Sequence, residues 1–263
     1  PGVMGVEAFV EAAQVLTEVL AGKANGLALD YLDDVHFLAP LKFYRDKPRR
    51  FTLKARAIPE DGGLCVNVRL ESFLARFERQ AETVLHFSGR VHLQPEVKGT
   101  LPKLSSPQWR EDGIVTAEEI YRLYFHGPAF QVLEGVQNAE GGVLGKMNPQ
   151  LPSLVNADKT LLTNPRALEL ALQTAGVWEV ATTDTLALPS SIGWLKLYPE
   201  AQLDGLLMAE VQPEKGDDDA LSFSARVVNA SGNLALELRD YRTTALPFQA
   251  EPELIAPFKR LVA

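Results

Sequence analysis

Cysteine is almost absent from this chain: one residue, Cys65, among 263. A single thiol excludes an intrachain disulfide framework and suits a reducing compartment, so a cytoplasmic location is the expectation. Basic residues are in deficit, 26 Lys and Arg against 34 Asp and Glu, for a net charge of −8. With a pI near 5.1 the chain lacks the electrostatic footprint of a nucleic-acid binder. No run approaches about 18 consecutive apolar residues, so neither a helical membrane span nor membrane partnership is indicated. No charged segment leads into an apolar stretch and cleavage site, so no signal peptide is expected. Glycine-rich phosphate loops, a nucleophile elbow and a cysteine–histidine pairing are missing too. His36 and His86 lie in strand-like apolar runs without the spacing of a ligand set, and no metal is expected. The chain also lacks an initial Met. Pro1-Gly2 reads as the middle of a longer polypeptide, and residues are expected before it.

What is present is hydrophobic mass, 46% of residues, enough for one large or two modest cores. The most informative stretch runs from Asn164 to Gly176. Thr163 or Asn164 can cap a helix there, and Pro165 suits the first helical position, where its missing N–H costs nothing. Behind that start an almost wholly apolar helix is expected to about Val180. After Arg166 its polar side chains of any reach are Glu169, Gln173 and Glu179. Glu169 and Gln173, one helical turn apart, share a face. Burying an unpaired carboxylate is costly, so such a group needs a proton or a partner. A neutral acid beside a supporting amide is what a proton-donating reaction requires. The alternative is a helix end whose Glu169 reaches solvent or pairs with an arginine.

Around this helix the chain divides in two. Gly2 to Ala21 reads as a helix with Val3, Val6, Phe9, Val10, Ala13, Leu16 and Leu20 on its apolar face; Glu7, Glu11, Gln14 and Glu18 stand opposite. Period-two β-formers follow to Leu93, with Gly62-Gly63 as a hairpin turn. The basic stretch Arg45 to Arg50 reads as a charged hairpin tip, or as a surface for an acidic carrier protein. Residues 1–96 thus form a first half and 97–112 a linker. In a second half, 113–248, Thr116 and Glu119 supply a capping box. Strand-like runs flank the organising helix there, at Phe130–Val136, Gly142–Met147 and four places beyond residue 186. Residues 249–263, with Pro252 and Pro257, read as a departing linker.

The residues also carry a family resemblance. Pro1 to Glu7 resembles the end of the His-x-x-x-Gly-x-x-x-x-Pro motif of dehydratase domains in type I polyketide and polyunsaturated fatty acid synthases. Tyr124-Phe125-His126-Gly127-Pro128-Ala129-Phe130 is similar to their Gly-Tyr-x-Tyr-Gly-Pro-x-Phe signature. Leu168 to Gln173 resembles their Asp-x-x-x-Gln motif, and Leu188-Pro189 the Leu-Pro strand that follows. The resemblance implies an α+β double hot-dog fold, two antiparallel sheets each wrapped around a central helix. It implies loss of water from a β-hydroxyacyl thioester carried on acyl carrier protein. A histidine of the first half takes the α-proton, and an acid of the second half protonates the departing hydroxyl. On that pattern Glu169 is the acid, Gln173 its amide support and His126 a contact for the hydroxyl. Tyr124, Gly127, Pro128, Phe130, Leu188 and Pro189 would line the substrate. No cofactor is implied, because the phosphopantetheine belongs to the carrier. Expected partners are the carrier protein, other domains of a parent synthase and a second copy in a homodimer.

Three departures from the pattern stand out. The motif's histidine would fall nine residues before Pro1, and none of His36, His86, His92 or His126 occupies that place. Glu169 replaces aspartate, and the added methylene moves the carboxyl by about 1 Å or more. Leu123 and His126 stand where glycine and the second tyrosine would be. Two other readings therefore remain open: a product-template-like cyclase of poly-β-keto chains, and a catalytically silent domain kept as scaffold.

Overall fold

Two helices of equal length set the architecture. α1 (Val3–Ala21) and α3 (Pro165–Thr183) each run 19 residues and lie against each other and against one sheet. A computed structural model describes residues 2–22, 26–41, 49–74, 82–96, 102–154, 161–198, 206–215, 220–247 and 250–262. Its strands are β1 (Leu27–Phe37), β2 (Phe51–Glu60), β3 (Gly63–Leu74) and β4 (Glu82–Pro95) in the first half. The second half holds β5 (Val115–Thr116), β6 (Leu133–Ala139), β7 (Gly142–Met147), β8 (Ala187–Leu197), β9 (Leu207–Lys215), β10 (Leu221–Asn229) and β11 (Leu234–Ala245). Two short helices complete it, α2 (Ala117–Leu123) and α4 (Pro252–Ile255).

The strands join in the order β2-β3-β4-β1-β8-β11-β10-β9-β7-β6-β5, with antiparallel pairing throughout. The double hot-dog is present, with its two sheets fused edge to edge where β1 meets β8, Val35 opposite Ile192. Fusion removes two strand edges that would otherwise expose unpaired backbone.

α1 buries Val3, Val6, Phe9, Val10 and Ala13 against Val66, Val68, Phe87 and Val91 of β3 and β4. It can sit that close because Gly5 has no side chain: a Cβ there would stand 2.4 Å from the Phe87 ring. Two expectations for this helix are corrected. Leu20 is 61% exposed, since the last turns run out from under the core. Glu7 is buried, because the loop before α3 settles onto it.

α3 starts as its sequence directs: the Asn164 side chain accepts from Ala167 N at 3.2 Å and Pro165 follows. It ends at Asp184, in the left-handed region at φ 59°. At α2 the capping box forms in full.

Two segments that read as linkers are pinned down where they are described. Leu104 N donates to Gly232 O at 2.8 Å, and Leu234 N to Pro102 O at 3.0 Å, so the connector runs along the β10–β11 turn. Beyond β11, α4 and a 3-10 turn at Ala256–Leu261 bury Ile255, Phe258 and Leu261. Lys259 donates to Ala181 O at 2.9 Å and pairs with Asp184, a cation at the C-terminal end of α3. Pro1 and residues 45–48 of the basic stretch, like 97–101 of the connector, lie outside the described residues.

Candidate active site

Glu169, Gln173 and Glu179 of α3 are all buried, and each has found partners. Glu169, 5% exposed, presents Oε1 to Gln173 Nε2 at 2.9 Å and to His126 Nε2 at 3.0 Å. Gln173 also donates to Phe130 O at 2.8 Å and accepts from the Tyr121 hydroxyl at 2.8 Å. That hydroxyl in turn accepts from Leu133 N at 2.7 Å. Burial pushes the Tyr121 phenol well above its ordinary pKa, with the nearby Glu169 charge adding to the rise and the Leu133 N–H opposing it. Tyr121 therefore stays protonated.

Local sequence explains the arrangement. Pro128 starts a 3-10 turn at Pro128–Phe130, so the strand expected from Phe130 begins only at Leu133, and that turn aims the Phe130 carbonyl at Gln173. The segment from Phe125 to Phe130 lines a mostly apolar recess of about 420 Å³, with His126 in its wall. Phe125 stacks on the His126 ring at 5.3 Å between centroids. His126 Nδ1 is buried and has no partner among the described residues.

The sequence-predicted residues divide accordingly. Glu169, Gln173 and His126 meet directly, and Phe130 joins them through its carbonyl. Tyr124 supports from behind: its hydroxyl donates to Gln173 O at 3.3 Å and fills the space left by Gly176. Gly127 and Pro128 line the recess. Leu188 and Pro189 lie on β8 opposite Thr244 and Thr243. Thr243 bonds Glu179 at 2.8 and 2.9 Å, ten residues or ~15 Å along α3 from Glu169. These two residues stand at the far end of the helix.

Sequence reasoning missed two contributors. Tyr121 gave no local signal beyond an aromatic on a short helix. Glu7 was placed on the solvent side of α1, yet its carboxylate accepts from Leu162 N at 2.7 Å, Thr163 N at 2.8 Å and Thr163 Oγ1 at 2.5 Å. That contact lays the start of α1 beside the start of α3. The buried charge itself was the available clue, since a buried carboxylate demands donors.

The other histidines serve the framework. His86 bonds Ser72 at 2.7 Å and Ala39 O at 3.1 Å, and His36 pairs with Asp34 on the surface. His92 lies between Glu60 and Asp33, each at 3.0 Å. Donor atoms of Glu60, Cys65 and His92 fall within 4.8 Å of one another. Both ring nitrogens of His92 are already engaged, however, and Arg90 holds Asp33 through two hydrogen bonds. Burial and the Glu60 charge push the Cys65 thiol up, away from the thiolate a metal needs, although Arg90 opposes that shift. The group closes on itself as a hydrogen-bonded network.

The fold is shared with solved structures of known proteins. The structure resembles the dehydratase domain from the CurF module of the curacin polyketide synthase, with 19% identity over 91% of this chain and 84% of that one and a TM-score of 0.68. It resembles a trans-AT polyketide synthase dehydratase domain from Brevibacillus brevis as closely, with 19% identity over 94% and 85% and a TM-score of 0.68. The curacin CurK dehydratase matches at 21% identity over 94% and 84% with a TM-score of 0.63, in an aspartate-to-asparagine form described as inactive. A histidine-to-phenylalanine form of CurK, also described as inactive, matches at 22% identity over 94% and 83% with a TM-score of 0.64. No curated protein matches the chain. These structural likenesses establish the fold. Residues 115–253, more than half of the chain, also match the sequence model of the polyketide synthase dehydratase N-terminal domain, and the chain belongs to that family, whose members are hydro-lyases working with acyl carrier protein inside multidomain synthases.

Proposed function

We propose that the chain removes water from a β-hydroxyacyl thioester carried on acyl carrier protein, with Glu169 as the acid. The observation that carries this reading is a buried carboxyl group with one oxygen held and the other open. Oε1 meets Gln173 and His126, while Oε2 has no partner among the described residues. A structural carboxylate buried this deeply would have both oxygens satisfied.

The chemistry follows from that placement. A base takes the proton from the carbon next to the thioester, and those electrons form the Cα=Cβ bond. The Cβ–O bond breaks as Glu169 gives its proton to the hydroxyl, which leaves as water. On the family pattern the base is a histidine preceding Pro1, and the Glu7 contact brings the start of α1 to the start of α3. CurK loses activity when a histidine or an aspartate is replaced, in keeping with a two-residue mechanism. His126, with its unpartnered Nδ1, borders the recess where the hydroxyl would sit. The reaction uses acid–base groups alone, and the thioester arm arrives with the carrier.

The test is to offer a β-hydroxyacyl thioester to the intact chain and look for the enoyl product. Water loss that vanishes in Glu169→Gln supports the reading. Cyclised polyketide from a poly-β-keto thioester would replace it with a cyclase, and an inert folded chain would leave a scaffold.

A further inference from the structure

We propose that Tyr121 is a positioning residue that determines which oxygen of Glu169 delivers the proton. This rests on the dehydratase reading and deepens it. A backbone group whose direction cannot vary sets the sense of this network. Leu133 N, in the first residue of β6, can only donate, and it donates to the Tyr121 hydroxyl at 2.7 Å. The hydroxyl's single proton is thereby free for Gln173, 2.8 Å away. An amide side chain can present either its oxygen or its nitrogen, and the partners decide which. Here a donor faces it, so the amide oxygen must turn toward Tyr121.

With the oxygen fixed, both amide hydrogens are committed, one to Phe130 O at 2.8 Å and one to Glu169 Oε1 at 2.9 Å. Oε1 then accepts from Gln173 and, with His126 Nε2 at 3.0 Å as a second donor, has no place for a proton of its own. A carboxyl proton on Oε1 would collide with that N–H, so the acidic proton resides on Oε2. Tyr121, half-buried and with its phenol pushed up, keeps its own proton and so keeps the sense of the whole chain. The relay runs from Leu133 through Tyr121 and Gln173 to Glu169, and each link fixes the next. It also accounts for a half-buried tyrosine hydroxyl set against the buried Gln173, where two apolar side chains would pack at no cost in desolvation.

The experiment combines kinetics with a readout independent of turnover. In Tyr121→Phe the amide oxygen loses its donor, the amide is held from the Phe130 and Glu169 side alone, and its placement loosens. Dehydration kcat is expected to fall about 10- to 100-fold, the scale of a 1 Å misplacement, with KM within about twofold. Added to Gln173→Leu, the same change is expected to do nothing more, since Tyr121 acts only through Gln173. Losses that multiply, or an unchanged kcat in Tyr121→Phe, overturn the relay while leaving the dehydratase reading intact. If the wild-type chain gives no enoyl product, the functional reading fails by itself, and the relay is judged by NMR with selectively labelled glutamine. Slow exchange of the Gln173 side-chain hydrogens in the wild type, made fast in Tyr121→Phe, supports it. Equal exchange in the two proteins overturns it.

Discussion

Each half of the molecule carries a buried glutamate at the fifth residue of its long helix: Glu7 on α1 and Glu169 on α3. Placement and burial match, but the surroundings differ. Glu7 accepts from two backbone amides and a hydroxyl, which leaves neither oxygen for chemistry. Glu169 is met by one amide and one imidazole, both at Oε1. The first carboxylate serves as a joint between the halves, whereas the second has one side kept open. A buried acid is thus not in itself a sign of catalysis. What separates the two is how many lone pairs the fold has already used.

The sharpest way to break this contrast is to neutralise each acid in turn. Glu169→Gln is expected to lower the dehydration rate by about 10²–10⁴-fold, the usual share of a general acid, with thermal unfolding little changed. The measurement is enoyl product by mass spectrometry beside a melting curve. Glu7→Gln should do the reverse. It turns an NH2 group toward backbone donors and forfeits charge-assisted hydrogen bonds, a loss of about 2–4 kcal/mol. For a chain of this size that lowers Tm by roughly 5–10 °C, with turnover at low temperature reduced less than about tenfold. A Glu7→Gln protein that melts normally yet fails to turn over would erase the distinction.

Much of this frame was legible in the sequence, because it is written in local signals. Asn164-Pro165 and the Thr116–Glu119 box set helix starts within a few residues of chain, and Gly62-Gly63 sets a hairpin. The contacts that make the site are another matter. Glu7 meets Thr163 across 156 positions, Tyr121 meets Gln173 across 52, and no periodicity encodes either. The strand expected from Phe130 begins only at Leu133, because the apolar pattern there is overridden by Pro128 and by the pull of Gln173 on the Phe130 carbonyl. Leu20 was misread for the opposite reason: its helical register is right, but the sheet ends before it. Glu169 itself could be found early, since a carboxyl in an apolar helix stands out wherever its partners lie.

The wall behind the site offers a smaller perturbation. Gly176 faces Tyr124, and a Cβ there would stand 2.6 Å from its hydroxyl. Tyr124 is buried, so it can yield only by giving up its bond to Gln173 O and disturbing the packing of α2 on α3. Gly176→Ala is expected to cost about 1–3 kcal/mol by overpacking. That cost outweighs alanine's gain of about 1 kcal/mol in helix propensity. A denaturant melt that moves to lower concentration checks this, and a stabilised variant would show that Tyr124 is loosely held.

Glu179, at the far end of α3, gives the smallest expected effect and a pH dependence of definite sign. Burial pushes its pKa up, and the Thr243 hydroxyl, bonded to both oxygens, pulls it back only in part. The folded protein therefore holds this proton more firmly than the unfolded chain does. The stability it contributes is full below the ordinary carboxylate range and is lost as pH rises through the raised folded value. Glu179→Gln keeps the shape and removes the charge. Its amide oxygen can accept from Thr243 while its NH2 donates back to the same hydroxyl. The variant should match the wild type in acid and exceed it by about 2–4 °C in Tm near pH 8, equivalent to about 1 kcal/mol. Melting curves from pH 4 to pH 8 decide the matter: a gap that widens in acid instead would mean that Glu179 is stabilised as an anion.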